Sequence, residues 1–308
     1  MPSEFDIIRR HFSRPARQAL LGAGDDAALL RPDAGAALAV STDMLLEGRH
    51  FAKGAAPRLL GHKALAVNLS DMAAMGATPR WATLALALPA AEASNEAWIA
   101  AFAEGFYALA SRHQVDLVGG DTTRGPLAIC VTILGEVPEG LALMRGGAHP
   151  GDDIWVSGEL GGAALALQRP GDAAAAKRLH QPEPRVELGE RLRGIASAAI
   201  DVSDGFAQDL GHIVERSGAG ALVHYALLPK HPCDDAALRQ RCVLAGGDDY
   251  ELLFTAPQGA RAEIQALAGA LGLALTRVGS MQPGEPKLQL LDAQGVPMAV
   301  PRGFDHFA

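Results

Sequence analysis

The chain contains the segment Ala36-Ala37-Leu38-Ala39-Val40-Ser41-Thr42-Asp43, a short apolar run that ends in three polar residues. Four to eight apolar residues with polar boundaries are typical of a buried β-strand. We therefore expect Ser41, Thr42 and Asp43 to lie at the end of a strand. Two hydroxyls and a carboxylate are hard oxygen ligands of the kind that Mg²⁺ prefers, although an ordinary loop after a strand has the same composition.

The same arrangement, an apolar run that leads into small polar residues and aspartate, recurs in both halves of the chain. It is repeated at Leu117–Thr123, at Ala199–Gly205 and at Val243–Glu251. Helical patterns alternate with these strands, which predicts two α/β domains with a site between them. We place the N-terminal domain at residues 1–140 and the C-terminal domain at residues 141–308.

A long helical pattern begins at Pro57 and ends before Gly76 and Pro79. Its apolar face is marked by residues three or four apart, which are Leu60, Ala64, Val67, Asp71 and Met75. A carboxylate on such a face is costly unless it is paired or binds a metal. Asp71 is therefore a candidate ligand, although a slight rotation of the helix would instead expose it to solvent.

Composition limits the class of protein. Of the 308 residues, 49% are hydrophobic and 20% are charged, which is ordinary for a globular protein. The net charge of −8 argues against binding to nucleic acid or to an anionic membrane. No apolar run is long enough to span a membrane, and no secretory signal follows the acidic N-terminus. The three cysteines form no C-x-x-C pair, which favours a reducing cytoplasm.

Several known site signatures are absent from the sequence. It contains no Walker A motif, no His or Cys pair with zinc spacing and no G-x-S-x-G motif. The many aspartates beside glycine or hydroxyl residues instead indicate several hard divalent cations. Such cations in turn indicate a ligand with many anionic oxygens, most simply a nucleoside triphosphate.

Several short motifs resemble, in their order and over nearly the whole chain, those of the thiamine-monophosphate kinase family. They are Gly24-Asp25-Asp26, Ser41-Thr42-Asp43, Gly48-Arg49-His50-Phe51, Val67–Gly76, Gly119–Gly125, Asp201–Gly205 and Asp248-Asp249-Tyr250-Glu251-Leu252. The resemblance implies a two-domain, aminoimidazole-ribonucleotide-synthetase-like fold with mixed α/β sheets and a homodimer formed through the N-terminal sheet. It also implies phosphorylation of thiamine monophosphate to thiamine diphosphate by ATP and Mg²⁺, the last step of thiamine diphosphate biosynthesis.

The roles of individual residues are carried over from these motifs. Several Mg²⁺ ions would be surrounded by Asp26, Ser41, Thr42, Asp43, Asp71, Asp121, Asp201 and Asp204. ATP would contact Gly120, Asp121, Arg145 and Ser203, with Tyr107 as a further candidate. Thiamine monophosphate would face His50, Asp248 and Phe304. The family commonly has glutamate where this chain has Asp248, so the carboxylate here is one methylene shorter.

The chemistry of the reaction agrees with this set of residues. A phosphate monoester is largely dianionic at pH 7, since its second pKa is about 6, so no general base is expected. We therefore expect direct in-line transfer of the γ-phosphoryl group of ATP, without a covalent intermediate. Two alternatives remain: another ATP-dependent enzyme of the same superfamily, or a non-catalytic protein that binds Mg-nucleotide. The superfamily's selenophosphate synthetases would carry a reactive cysteine near the N-terminus, whereas the first cysteine here is Cys130.

Overall fold

The computed structural model describes residues 3–303, and the chain forms two compact units. The first unit contains the residues up to Met72 together with Ala77–Glu139. The second contains Ala73–Gly76 and the residues from Gly140 onward. Each unit is built around its own mixed sheet, as the predicted α/β class requires.

The first unit has a four-stranded sheet in the order β1-β4-β2-β3. Its strands are β1 (Ala36–Leu46), β2 (Thr78–Leu88), β3 (Asp116–Arg124) and β4 (Ala128–Pro138). Strand β4 is antiparallel to both β1 and β2, whereas β2 and β3 are parallel. The helical elements are α1 (Glu4–Ile7), a π-helix (Ile8–Phe12), α2 (Pro57–Ala74), α3 (Ala90–Ala93) and α4 (Glu96–Arg112).

Strand β1 is longer than the sequence predicts, and this changes the position of its polar residues. The strand continues to Leu46, so Ser41, Thr42 and Asp43 lie in its middle, and the prediction that they end the strand is wrong. The polar residues do not interrupt the strand because every backbone group between Ala36 and Leu46 is in register with β4. Successive side chains therefore point to opposite faces of the sheet.

The two faces of this sheet differ in burial. Odd-numbered residues of β1 face the side on which α2 lies, as the contact between Ser41 and Asp71 shows. The even-numbered residues Leu38, Val40, Met44 and Leu46 are exposed on the other face. Helices α2 and α4 pack so closely that a Cβ at Gly105 would clash with the carbonyl oxygen of Arg58.

The second unit has a seven-stranded sheet in the order β11-β10-β7-β9-β5-β8-β6. Its strands are β5 (Asp153–Ser157), β6 (Ala198–Asp201), β7 (Gly220–His224), β8 (Leu252–Ala256), β9 (Leu275–Gln282), β10 (Leu288–Leu291) and β11 (Pro297–Met298). All neighbours are antiparallel except β7 and β10. The central strands β5, β6 and β8 are buried along their whole length.

The helices of the second unit are α5 (Gly162–Gln168), α6 (Ala173–His180), α7 (Val186–Arg191), α8 (Phe206–Ser217), α9 (Ala236–Ala245) and α10 (Arg261–Leu271), with short 3-10 turns at Tyr225–Leu227 and Gln258–Ala260. The sequence pattern predicted neither α6 nor α9. Their N-termini are capped by Asp172 and Asp235, whose side chains accept backbone N–H groups of the first turn. Among residues 3–303, no helix is long and apolar enough to cross a membrane.

Candidate functional site

The middle of β1 and one turn of α2 bring together polar residues of the first unit. Ser41 donates a hydrogen bond to Asp71, with 2.5 Å between Oγ and Oδ2. The backbone N–H of Asp43 donates to Oδ1 of Asn68 at 3.3 Å, and the buried Asn68 side chain donates to the carbonyl of Ala64. The polar face of α2 is thus directed at Ser41 and Asp43, as the position of Asp71 in the sequence indicates.

Thr42 lies apart from these residues, although it stands between Ser41 and Asp43 in the sequence. Its hydroxyl hydrogen bonds to that of Thr132, with 2.9 Å between the oxygens, on the opposite face of the sheet. The alternation of side chains along a strand explains the separation. The Thr42 hydroxyl therefore does not converge with Ser41 and Asp71.

A cleft of about 630 Å³ lies in the first unit. It is lined by Ala23–Ala28 and by Leu117–Thr122, with Phe5, Ile8 and Phe12 among the apolar residues of its wall. The predicted ligands Asp26 and Asp121 and the predicted ATP contact Gly120 all line this cleft. A side chain at Gly120 is excluded, because a Cβ there would clash with the carbonyl oxygen of Leu84 on the neighbouring strand.

The aspartates Asp25 and Asp26 are carried by an irregular segment that we call the clamped loop (residues 18–33). Arg80 on β2 holds both of its ends, donating to Gln18 Oε1 at 2.6 Å and to Asp33 Oδ2 at 3.0 Å. The same guanidinium donates to the buried carboxylate of Glu136 at 2.9 Å, and Glu136 also accepts the backbone N–H of Asp33 at 2.8 Å.

Two further sets of bonds close the clamped loop. Asp116 accepts the backbone N–H groups of Arg17 and Gln18 at 2.5 and 2.7 Å. Nearer the tip, the N–H of Leu29 donates to the carbonyl of Leu21 at 2.9 Å, and the N–H of Leu21 donates to the carbonyl of Leu29 at 3.2 Å. The bonds at both ends of the loop and the backbone bonds between Leu21 and Leu29 together hold residues 23–28 against the cleft.

Two other predicted residues of the first unit are well defined. His50 accepts the backbone N–H of Leu46 on Nδ1 at 3.0 Å, so its neutral ring carries the proton on Nε2. Tyr107 is buried on α4, its hydroxyl donates to the carbonyl of Phe12 at 2.9 Å, and Arg14 lies 3.5 Å from its ring centroid. Burial raises the pKa of Tyr107 to about 12. Tyr107 thus contacts the cleft wall through Phe12.

In the second unit, the motif at residues 201–205 lies beside a segment that we call the anchored turn (residues 246–251). The N–H of Asp248 donates to the carbonyl of Ser203 at 2.9 Å, and the N–H of Tyr250 donates to that of Val202 at 2.8 Å. In return, the N–H of Val202 donates to the carbonyl of Glu251 at 2.8 Å. These backbone bonds bring the predicted substrate contact Asp248 next to the predicted ATP contact Ser203.

A buried carboxylate that the sequence analysis missed lies under the 201–205 motif. Asp209 on α8 accepts the backbone N–H groups of Asp204 and Gly205 at 3.1 and 3.0 Å. Burial, together with the carboxylates of Asp201 and Asp204, raises the pKa of Asp209 to about 8. The sequence does contain a signal for this residue, because Asp209 lies on the apolar face of its helix just as Asp71 does.

A second missed group anchors the turn from below. Glu251 is 1% exposed and accepts hydrogen bonds from Ser157 at 2.6 Å, from Arg178 at 2.8 Å and from Arg185 at 2.6 and 2.7 Å. Burial opposes its ionisation, but the bonds and charges of the two arginines outweigh burial and hold the pKa of Glu251 below its usual value.

The neighbouring Asp249 is also buried and accepts the N–H of Gly161 at 2.6 Å at the start of α5. Burial raises the pKa of Asp249 to about 7, because the nearby amides lower it less than burial raises it.

Two predicted contacts remain, Arg145 and Phe304. Arg145 is exposed, and its carbonyl accepts a 3.5 Å hydrogen bond from Ser217. Phe304 lies outside the described residues, although Gly303 before it packs against the carbonyl of Asp204. Within residues 3–303, no three His, Cys, Asp or Glu side chains are arranged so that they alone could hold a metal ion.

Comparison with known proteins agrees with this architecture. A family model described as AIR synthase related protein, N-terminal domain, matches residues 24–137. The thiamine-monophosphate kinase of Salmonella typhimurium (strain LT2) is 44% identical in an alignment 325 positions long, gaps included, which covers 99% of this chain and 98% of that protein.

Solved structures extend the comparison to the fold. A crystal structure of thiamine-monophosphate kinase from Stenotrophomonas maltophilia K279a has 47% identity and a TM-score of 0.84, covering 92% of this chain and 94% of that one. The structure of AaThiL complexed with AMPPCP and TMP has 29% identity and a TM-score of 0.77, covering 90% and 89%. The expected synthetase-like fold is therefore confirmed, and the protein belongs to the thiamine-monophosphate kinase family.

Proposed function

We propose that the protein transfers the γ-phosphoryl group of ATP to thiamine monophosphate in a Mg²⁺-dependent reaction that yields thiamine diphosphate and ADP. The observation that carries the proposal is the 44% identity to a thiamine-monophosphate kinase over nearly the whole of both chains. The AaThiL complex with AMPPCP and TMP, which resembles this chain over 90% of its length, supports the same pair of ligands.

The residues present fit Mg²⁺ in both units. In the first unit, the donors are oxygens of Ser41, Asp43 and Asp71, with Asp26 and Asp121 along the cleft. In the second unit, the carboxylates of the buried Asp201 and the partly buried Asp204 add to the effect of burial in raising the pKa of Asp209. A divalent cation would relieve this repulsion, and oxygens of the phosphates would complete coordination that the side chains alone do not provide.

The role of the protein in the reaction is to orient the two phosphorylated substrates. When bound, Mg²⁺ neutralises phosphate charge and draws the two polyanions together. The aspartates named above would hold the cations, and Gly120, which lines the cleft beside Asp121, would contact the nucleotide. No side chain is required to remove a proton, since the attacking phosphate oxygen is already ionised at pH 7. Transfer is therefore direct and in line.

On the substrate side, two groups are suited to thiamine monophosphate. Asp248 is a carboxylate beside Ser203, and it suits the positively charged thiazolium ring. The imidazole of His50, whose ring is fixed by the bond from the backbone N–H of Leu46 to Nδ1, would face the substrate.

The proposal includes a homodimer formed through the outer face of the N-terminal sheet. Leu38, Val40, Met44 and Leu46 are between 38% and 59% exposed and follow one another along this face. An exposed apolar strip of this kind is typical of an interaction surface. We expect Val40→Lys to give a monomer in light scattering after size exclusion, with Leu141→Lys, at another exposed leucine, as the control. Persistence of the dimer in Val40→Lys would contradict this interface.

We further propose that the protein works in the cytoplasm. Its three cysteines are all free thiols, which agrees with a reducing compartment.

The activity is tested by incubating the protein with ATP, Mg²⁺ and thiamine monophosphate and separating the products by chromatography. We expect equal amounts of ADP and thiamine diphosphate, and no turnover when EDTA removes the metal. Asp43→Asn is the matched negative control, expected to bind Mg-ATP more weakly and to form no product. A folded sample that binds ATP but forms neither product would contradict the proposal and favour a non-catalytic nucleotide-binding protein.

A further inference from the structure

The anchored turn has an alternating arrangement of side chains. Asp249 and Glu251 point inward and are 5% and 1% exposed, whereas Asp248 and Tyr250 are only partly buried. The inward pair makes the buried bonds to the start of α5 and to Arg178 and Arg185. Residues 248 and 250 are therefore held on the side of the turn away from these anchors.

The backbone of this turn is strained. Asp248 has φ of 67° and Tyr250 has φ of 51°, and within residues 3–303 the only other non-glycine residue with positive φ is Gln114. Left-handed backbone costs about 1–2 kcal/mol for a residue with a Cβ, so it persists only where surrounding contacts fix it. Here the buried carboxylates and the three backbone bonds to residues 202 and 203 provide that support.

The strained backbone brings two side chains together. The Tyr250 hydroxyl donates to Oδ1 of Asp248, with 2.9 Å between the oxygens. A donor in this position fixes the rotation of the carboxylate about its Cβ–Cγ bond. This matters because rotation about that bond decides which carboxylate oxygen of Asp248 faces a ligand.

We propose that Tyr250 is a positioning residue for thiamine monophosphate, because its hydroxyl orients the Asp248 carboxylate toward the cationic thiazolium ring. The inference rests on the proposed function and adds a residue to its substrate site. Tyr250 acts through Asp248, so its contribution belongs to substrate affinity and not to phosphoryl transfer or to ATP binding.

The test is Tyr250→Phe in the full-length protein, which removes the hydroxyl and keeps the ring. We expect the KM for thiamine monophosphate to rise about tenfold, equivalent to about 1.4 kcal/mol. The KM for ATP and kcat should change less than about twofold, and the Tm should not move. Calorimetric titration with thiamine monophosphate should show the same loss of affinity. Tyr225→Phe, in the same unit but outside the turn, is the matched control and should leave every constant unchanged.

A second variant separates positioning from direct contact. In an Asp248→Ala background, Tyr250→Phe should have no further effect on the KM for thiamine monophosphate. An equal rise in both backgrounds would overturn the proposal, as would an unchanged KM in the single variant. A parallel rise in both KM values with a lower Tm would show a merely structural role and overturn it too. Wild-type protein that forms no thiamine diphosphate would instead overturn the proposed function and this inference with it.

Discussion

The clamped loop and the anchored turn both carry candidate carboxylates on irregular backbone, but the protein holds them in different ways. The clamped loop is fixed by Arg80, whose side chain is 31% exposed, and by Asp33, whose side chain is 73% exposed. The anchored turn is fixed by Asp249 and Glu251, which are almost completely buried. Glu136 behind Arg80 is buried, but the groups at the ends of the loop are partly hydrated, whereas those that hold the turn are removed from water.

The difference teaches where each segment is vulnerable. Water and salt screen exposed ion pairs, so losing one costs little. A buried charge that loses its partner cannot recover its hydration, so the cost is several kcal/mol. We therefore expect substitutions of the buried Asp249 and Glu251 to affect the stability of the whole protein, and those in the clamped loop to affect mainly the cleft that it lines.

The largest effect is expected for Glu251→Gln. This change leaves the guanidinium groups of Arg178 and Arg185 without their shared carboxylate at a site that is 1% exposed. We expect the free energy of unfolding to fall by about 3 kcal/mol or more, measured by urea denaturation. Glu187→Gln is the matched control, because its partner Arg191 lies on the same helix and both side chains are at least half exposed. That variant should lose less than about 1 kcal/mol, and equal losses would contradict the argument that burial decides the cost of losing a charge.

The next effect concerns the pH dependence of stability. The pKa of Asp249 is raised to about 7 in the folded protein, so the protonated form favours folding. The resulting stability is fully present below about pH 4, the ordinary pKa of aspartate, and is lost as pH rises through 7. Asp249→Asn should remove this dependence. We expect the slope of the unfolding free energy against pH, between pH 5 and 8, to become shallower than that of wild type by at most about 1.4 kcal/mol per pH unit. Parallel profiles of unfolding free energy against pH for the two proteins would contradict a buried, protonated Asp249.

Much of both segments could be predicted from the sequence because the chemistry of each motif is local. Glycine pairs beside aspartates indicate loops at strand ends or along strands, and the apolar spacing of α2 identifies Asp71 as a carboxylate that needs a partner. The same reasoning, applied to α8, would have found Asp209. Thr42 was grouped with Ser41 and Asp43 because the length of β1 was underestimated, and a longer strand would have placed it on the other face.

The partners of the motifs could not be predicted, because nothing local encodes them. Glu251 binds arginines that lie 73 and 66 residues earlier in the chain, and Arg80 binds a glutamate 56 residues later. Periodicity shows which face of an element is buried, but not which distant side chain meets a charge there. The left-handed backbone of Asp248 and Tyr250 was hidden for the same reason, since it depends on those distant anchors.

A smaller effect is expected when the clamp is opened by Arg80→Met. This substitution removes the bonds to Gln18, Asp33 and Glu136. Because the buried Glu136 keeps the backbone N–H of Asp33 as a partner, we expect a loss of only about 2 kcal/mol in unfolding free energy. Because Asp25 and Asp26 line the cleft, the KM for Mg-ATP should rise several-fold while that for thiamine monophosphate stays nearly constant. Arg58→Met, which breaks an exposed ion pair with Glu104, is the control and should change neither constant. Equal changes in both KM values for Arg80→Met would contradict a local role.

The smallest effect is expected for Gln18→Ala, which removes one end of the clamp. Gln18 accepts from Arg80 and donates to the carbonyl of Gln114, and both bonds are near solvent, so the loss should be about 0.5–1 kcal/mol. The double variant with Arg80→Met tests whether the two ends act together. If one guanidinium holds both ends, the double variant should lose at least about 0.5 kcal/mol less than the sum of the single losses, measured by urea denaturation. Simple additivity would mean that the bond between Arg80 and Gln18 contributes nothing to stability, and Gln18 would then not be an end of the clamp.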